Sequence, residues 1–297
     1  MVITLLLFVI VLGLLVFVHE LGHFLVAKKT GMQVDEFGFG FPPRLVGVQR
    51  VGGKWKLVWG VRSPQHPEHT IYSVNLIPLG GFVKIVGENN DSTSHPNSFI
   101  HKGFGARFTT LIAGVLMNVV LAAILLSIGF AVGLPQGLDA DLPRGAVVTD
   151  KKVIIGAVVP ESPAEKAGVR PGDILNKIDQ LQITEAADAQ NYVRVHSGDR
   201  FHFFLTRGDR HVELSVLSIA NPSPNQGPTG IEIVDIGLVR LPVFQAVVSG
   251  ITAAGNGLLA VASGLVQLLT SKNAFKSLGG PVEIARFTGE AAKLGWV

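Results

Sequence analysis

Val18-His19-Glu20-Leu21-Gly22-His23 is the stretch that decides the fold, because it sets a metal-ligand pattern inside an apolar run that starts at the N-terminus. Residues four apart share a helix face, so His19 and His23 would offer two imidazole nitrogens to one metal ion, with Glu20 beside its water. The run over 2–27 is otherwise almost entirely apolar, as expected of a membrane-spanning helix. Ionisable groups at membrane depth are costly, which favours a metal site over the alternative of a wet helix end.

The composition is that of an integral membrane protein. Of 297 residues, 47% are hydrophobic and only 16% are charged, with a mean hydropathy of +0.42. A charged fraction of 16% is too dilute for a phosphate-binding surface and no basic run exceeds two residues, so no nucleic acid is expected as a partner despite the net charge of +3. Cysteine is absent, so any metal must use histidine and carboxylate ligands. The N-terminal run lacks the basic start and the cleavage site of a signal peptide, and we expect it to be retained.

Three long segments, 2–27, 108–134 and 243–271, carry no charged residue apart from the HELGH motif in the first, and each suffices to span a bilayer. The first connecting segment carries ten basic and five acidic residues, whereas the second carries eleven basic and fourteen acidic residues. The positive-inside tendency therefore predicts that the first connection and the C-terminal tail are cytoplasmic and that the second connection is external.

The first connection is predicted to be β-rich over 36–87, since aromatic and β-branched residues alternate there between Gly and Pro. The pattern indicates short strands and hairpins. Two placements stay open: the segment dips into the bilayer, or it rests on the membrane interface as an amphipathic sheet. His66-Pro67-Glu68-His69 resembles a second metal site, but an exposed proline-containing loop is the favoured interpretation.

The second connection holds a soluble α+β domain, expected over 140–240. Residues 162–168 begin with an N-cap serine and end with glycine, which predicts a short helix. A second helix is predicted over 185–195, and strands over 201–205 and 212–217 should pair. The stretch 160–173 resembles a bacterial PDZ domain, a class that binds extended peptide C-termini.

The end of this domain, Gly227-Pro228-Thr229-Gly230-Ile231, looks like the peptide-carboxylate loop and the start of the docking strand of a circularly permuted PDZ domain. Thr229, Gly230 and Ile231 are therefore candidate peptide-binding residues. The alternative for Gly230 is an ordinary glycine at the entry of a strand.

The whole chain resembles the site-2 protease family of bacterial intramembrane zinc metalloproteases. The resemblance rests on the order of HELGH, Pro78–Val83, Ala113–Asn118, the PDZ-like domain and Gly279-Gly280-Pro281-Val282. It implies that His19 and His23 bind Zn2+ and that Glu20 is the general base. It also implies that the β-rich segment is a membrane re-entrant structure that receives the substrate. The candidate substrate-binding residues there are Gly80, Gly81, Phe82, Val83 and Lys84.

The chain departs from the family pattern at the third zinc ligand. The family places an aspartate in a later helix, in an N-x-x-P-x-P-x-L-D-G motif, and this sequence has no Asp-Gly pair. We therefore expect a C-terminally incomplete sequence (243–297 holding the third span and a truncated tail) with weak zinc binding and no activity of its own. Glu36, Glu68 or Glu88 would be substitute ligands, and their spacing favours none. Val115 replaces a proline usual in the family.

By this resemblance the protein is a multi-pass protein of the bacterial inner membrane. Its substrates are expected to be single-pass, membrane-anchored proteins already trimmed outside, such as anti-sigma factors, with the external PDZ-like domain as a filter. A second hypothesis is a non-catalytic, membrane-anchored PDZ receptor that binds peptide C-termini. A soluble secreted zinc protease is excluded by the three spans.

Overall fold

The computed structural model describes residues 2–60, 69–88, 95–138, 142–220 and 227–270. Three of its helices are long and apolar enough to cross a membrane: α1 (Val2–Lys29), α2 (Phe104–Val132) and α5 (Val243–Thr270). These confirm the predicted integral membrane protein. The predicted range 108–134 for the second span is wrong by a few residues at each end. Helix α2 includes the charged turn around Arg107, which the uncharged segment left out, and Leu134 already starts a strand.

The chain forms two compact units, and the first contains residues 1–124 together with those from 252 onward. Its sheet has the order β2-β1-β3, with β1 at Val34–Val51, β2 at Lys54–Trp59 and β3 at Ile71–Ile85. Strand β3 meets β1 twice, so that Phe37 lies opposite both Tyr72 and Val83. The prediction of short strands was wrong here. The glycines that were expected to end strands instead bend them, as at Gly40, whose φ is +80°.

A small core joins this sheet to α1. Phe24 of α1 stacks on Phe37 of β1 with ring centroids 4.6 Å apart. The other buried members of this cluster are Ala27, Met32, Val34 and Ile85. Many other large apolar side chains of this unit are exposed. This is the expected surface of a protein whose outer faces contact lipid rather than water.

The second unit, 125–251, contains an antiparallel sheet of order β4-β10-β5-β6-β8-β9, with the short β7 beside β6. Its strands are β4 (Leu134–Gly137), β5 (Val147–Val158), β6 (Ile174–Ile178), β7 (Leu181–Gln182), β8 (Arg200–Arg207), β9 (Arg210–Leu217) and β10 (Ile231–Arg240). Two helices, α3 (Pro163–Ala167) and α4 (Ala186–Val195), belong to the same unit.

The structure confirms the predicted elements of this unit. Ser162 caps α3 by accepting a hydrogen bond from the Glu165 N–H at 3.2 Å, and Gly168 ends the helix with a φ of 90°. Strands β8 and β9 pair as expected. The last strand, β10, lies beside β5 near the start of the unit. The sheet begins at Leu134, ahead of the predicted boundary at residue 140, because β4 also pairs with β10.

Candidate active site

The HELGH residues form a compact cluster on one face of α1. His19, Glu20 and His23 each offer a ligand atom, and these atoms all lie within 4.8 Å of one another. The two imidazole rings stand nearly perpendicular, with centroids 4.8 Å apart. In the described part of the chain this is the one group of three or more His, Asp or Glu residues with metal-ligand spacing. The spacing read from the sequence thus produces the expected geometry.

A backbone contact from α2 selects the tautomer of His23. Its Nδ1 lies 2.7 Å from the carbonyl oxygen of Thr110, and because a carbonyl can only accept, Nδ1 carries the proton and donates it. The lone pair is therefore left on Nε2. A second partner that fixes the ring and the tautomer in this way is typical of metal-ligating histidines.

Both Nε2 atoms point at the same small space over Gly114 of α2. A Cβ at Gly114 would lie 2.6 Å from His19 Nε2 and closer still to His23 Nε2, so a side chain there is incompatible with the two rings. Gly22 of α1 is equally constrained, since a Cβ there would overlap the carbonyl of Ala113. Small residues at a helix crossing let membrane helices approach closely. Here the close approach forms a cradle for two convergent imidazole nitrogens, which fits a metal ion.

Asn118, one turn further along α2, faces the other ring. Its Nδ2 lies 3.5 Å from His19 Nδ1, and its Oδ1 is buried without a hydrogen-bond partner among the described residues. Turning the amide by 180° would let Oδ1 accept from a protonated Nδ1. His19 would then present Nε2 to a metal, as His23 does.

Strand β3 runs alongside α1 past the cluster. Gly80, with a φ of +70°, packs on Val16, and a Cβ there would lie 2.5 Å from the Val16 Cγ1 atom. Gly81 packs in the same way on Phe17. Two residues after Gly81, the Val83 N–H donates to Glu20 Oε2 at 3.1 Å. The predicted substrate segment therefore contacts the HELGH helix directly.

The hydrogen bond to Glu20 also shows which edge of β3 faces α1 rather than a partner strand. Val83 lies opposite Phe37 in an antiparallel pair, and its N–H is directed to Glu20, away from β1. Backbone groups alternate sides along a strand, so Gly81 presents its groups to the same edge. Phe82 and Lys84 face β1 with their backbones, and the Lys84 side chain lies 3.5 Å from Asp35.

The candidate third ligands do not join the cluster among the described residues. Glu36 accepts a 2.8 Å hydrogen bond from Arg44 Nε within a well-buried ion pair, and Glu88 lies outside the group of ligand atoms. Glu68, together with His66 and Pro67 of the proposed second site, falls outside the described residues. Gly279-Gly280-Pro281-Val282 lies outside them as well.

In the second unit a cleft of about 250 Å³ separates α4 from the segment that leads into β10. Thr229 is buried and its carbonyl accepts from the Ala164 N–H at 3.1 Å, while the Gly230 N–H donates to Gly227. Gly230 has a φ of +72° and immediately precedes the strand, so it is also the strand-entry glycine of the alternative interpretation. The backbone carbonyl of Asp235 accepts from the Leu138 N–H at 2.9 Å, so the backbone of Asp235 faces the β4 side of β10. Because backbone groups alternate sides along a strand, the backbones of Ile231 and Ile233 face that same side, where the cleft lies.

Sequence reasoning missed the contributions of α2. The stretch Ala113–Asn118 supported only a resemblance, whereas the structure places Gly114 and Asn118 against the two histidines. Thr110 contacts His23 through its backbone carbonyl, which every residue type has, so the sequence could not predict this contact. The spacing of Gly114 and Asn118, four apart on one helix face, was the available clue.

Fold and site together define an integral membrane protein with an H-E-x-x-H cluster between two apolar helices. The chain belongs to Peptidase family M50, whose sequence model matches residues 7–60 and 63–297. This confirms the resemblance to the site-2 protease family.

Curated relatives match over nearly the entire chain. A protein of Mesorhizobium japonicum is 30% identical over 99% of this chain and 79% of its own length. One of Clostridium perfringens is 32% identical over 95% of this chain and 73% of its own length. Both are named "Putative zinc metalloprotease". Among solved structures, the PDZ domain of an SdrC-like protein of Listeria monocytogenes is 20% identical over 29% of this chain and 92% of its own, with a TM-score of 0.26.

Proposed function

We propose that the protein is a zinc-dependent intramembrane protease that cleaves peptide bonds in or near the transmembrane segments of membrane-anchored proteins. The observation that carries the proposal is the convergence of two imidazole Nε2 atoms over Gly114, with the Glu20 carboxylate beside them. When bound there, Zn2+ would supply a Lewis acid and acidify a water molecule. The zinc metalloprotease names of the relatives support this choice of metal.

In this proposal His19 and His23 hold the metal, and Thr110 and Asn118 orient the two rings. Glu20 takes a proton from the attacking water and passes it to the leaving amine. A third protein ligand is required for a complete catalytic site, and no further His, Asp or Glu of the described residues joins the cluster. The expectation that the 297-residue chain binds zinc weakly and does not turn over remains a prediction.

Substrate would bind as an added strand along β3. A transmembrane helix hides its amides in internal hydrogen bonds, so it must unwind before it can be hydrolysed. The edge at Gly81 and Val83 that is not paired with β1 would supply backbone partners to an extended chain beside Glu20. A substrate carbonyl that accepted the Val83 N–H would release the Glu20 carboxylate from its present partner. Binding would thereby free the base for catalysis.

The PDZ-like unit would act as a substrate filter. Its cleft exposes the backbones of Ile231 and Ile233, which suits β-addition of a peptide C-terminus. With the positive-inside topology, this unit lies outside the inner membrane of a bacterium. The proposed substrates are then single-pass proteins trimmed on that side, such as anti-sigma factors.

The decisive experiment is Glu20→Gln in the full gene product, reconstituted with a trimmed, membrane-anchored anti-sigma factor. We expect retained zinc and a loss of cleavage of at least about 10³-fold, because an amide cannot accept the proton. Glu88→Gln, which changes a glutamate outside the cluster, is the matched control and should cleave normally. Unchanged cleavage by Glu20→Gln would refute Glu20 as the base. Peptide binding without zinc or cleavage in the unaltered protein would instead identify a PDZ receptor.

A further inference from the structure

A second cleft, of about 390 Å³, lies at the C-terminal end of α1. It is bounded by the β1–β2 turn and the start of β3, and its lining residues are Lys28, Arg50, Gly52, Gly53, His69, Thr70 and Tyr72. None of them belongs to the HELGH cluster. In the described part of the chain the charged side chains that line this cleft are those of Lys28 and Arg50, and both are basic.

The ammonium group of Lys28 is held in place by a buried threonine. Lys28 Nζ donates to Thr70 Oγ1 at 3.3 Å, and Thr70 Oγ1 in turn donates to the Val34 carbonyl at 2.8 Å. Because Thr70 already donates its hydroxyl hydrogen to Val34, Thr70 Oγ1 acts as the acceptor in the hydrogen bond from Lys28. An ammonium group has three N–H donors, so two remain for an anion in the cleft.

Tyr72 is the aromatic residue of the described lining, and its ring is held in place by neighbouring rings. The Tyr72 ring lies 5.9 Å from that of Phe24, which itself stacks on Phe37, and 6.2 Å from that of Trp55. Trp55 is directly opposite Arg50 in the β1–β2 ladder, so the two residues share a face of the sheet. The Tyr72 side of the cleft is therefore fixed by packing before any ligand binds.

The sheet face next to the cleft is apolar and exposed. In the strand register, Val48 lies between Leu57 and Tyr72, and Val46 lies between Trp59 and Val74. Leu57, Trp59 and Val74 are each about half exposed or more. The cleft thus opens where an apolar surface meets the basic last turn of a membrane-spanning helix. Tryptophan, tyrosine and lysine at such a boundary are characteristic of the headgroup level of a bilayer.

We propose that this cleft binds the phosphate group of an anionic phospholipid, with Lys28 and Arg50 as the charged donors. Ammonium and guanidinium groups form charge-assisted hydrogen bonds to phosphate oxygens, and basic side chains near a membrane surface are attracted to anionic lipid. The apolar face beside Tyr72 and Trp55 would receive the start of the acyl chains. That apolar rim favours a lipid over free phosphate, which would need no such surface.

The test uses Trp55 as a local reporter in the full chain. The other two tryptophans are replaced by Trp59→Phe and Trp296→Phe, and the protein is reconstituted in phosphatidylcholine vesicles. Quenching of Trp55 is compared between dibrominated phosphatidylglycerol and dibrominated phosphatidylcholine at equal mole fraction. We expect the anionic lipid to be enriched about tenfold at Trp55. Adding Lys28→Gln with Arg50→Gln should abolish that enrichment.

Lys29→Gln with Lys54→Gln is the matched control, because it removes two neighbouring exposed cations that do not line the cleft. It should retain the enrichment, and thermal unfolding should be equal for both double variants. Equal loss of enrichment in the two would overturn the proposal in favour of diffuse surface charge. Displacement of the lipid by millimolar inorganic phosphate would also overturn it, by assigning the cleft to the free anion. Arg50→Gln alone, which leaves the Lys28–Thr70 contact intact, should lower the enrichment severalfold.

Discussion

The PDZ-like unit and the helix pair around the HELGH cluster are organised on opposite principles. The PDZ-like unit buries large apolar side chains, among them Phe201, Phe203 and Ile155, and the buried Asp173 is paired with Arg207. In the helix pair the most constrained positions are glycines, at which the backbone of one helix meets the other. Water drives the first arrangement through the hydrophobic effect. Between helices in lipid that force is absent, so close van der Waals packing of small residues takes its place.

This difference predicts opposite sensitivities. Removing side-chain volume should harm the PDZ-like unit most, whereas adding it should harm the membrane site most.

Phe203→Ala should lower the free energy of unfolding of the PDZ-like unit by about 3–5 kcal/mol, because the ring is fully buried and leaves a cavity. Hydrogen exchange of strands β8 and β9 in the full protein measures the change. Phe204→Ala is the matched control, since that ring is only partly buried and lies beneath the Lys177 ammonium. Equal losses in the two variants would contradict a core built on Phe203. Zinc affinity should not change in either variant.

Gly114→Ala should weaken zinc binding by about 100-fold, or about 2.7 kcal/mol, because the new methyl group would occupy the space where both Nε2 atoms converge. Competition with a chelator of known affinity measures the effect. Gly105→Ala, in the same helix with no atom within 4 Å of the added Cβ, should leave zinc affinity unchanged. Unaltered affinity in Gly114→Ala would mean that the histidines do not meet the metal over that glycine.

In both units, the features that could be predicted from the sequence are those formed by residues close together in the chain. The helix α3 was predictable because Ser162, Pro163 and Gly168 act within a few residues of one another. The His19–His23 pair was predictable for a similar reason, since its spacing acts within a single helix turn. The Val83–Glu20 bond and the Gly114 cradle join residues 63 or more positions apart. No local pattern encodes such contacts, and the double pairing of β3 with β1 was missed for that reason.

Val83→Pro should reduce substrate cleavage about tenfold, or about 1.4 kcal/mol, without changing zinc affinity. Proline removes the N–H that faces Glu20 and that an added substrate strand would use, while edge positions of a sheet tolerate it. Two quantities are measured: the rate of cleavage of the reconstituted anti-sigma factor and the zinc content of the protein. Val83→Ala keeps the N–H and should cleave at nearly the rate of the unaltered protein. If the two variants were equally slow, side-chain packing rather than the backbone edge would explain the loss.

Ser162→Ala should destabilise the PDZ-like unit by about 1 kcal/mol, because the Glu165 N–H loses its cap at a buried helix start. Ser162→Thr retains a hydroxyl acceptor and should recover most of this loss in hydrogen exchange around α3. A methyl group is thus expected to cost more at Gly114 than a capping hydroxyl does here, although both changes involve one heavy atom. If Ser162→Ala proved the costlier of the two, the membrane site would have more room between its helices than the convergence over Gly114 implies.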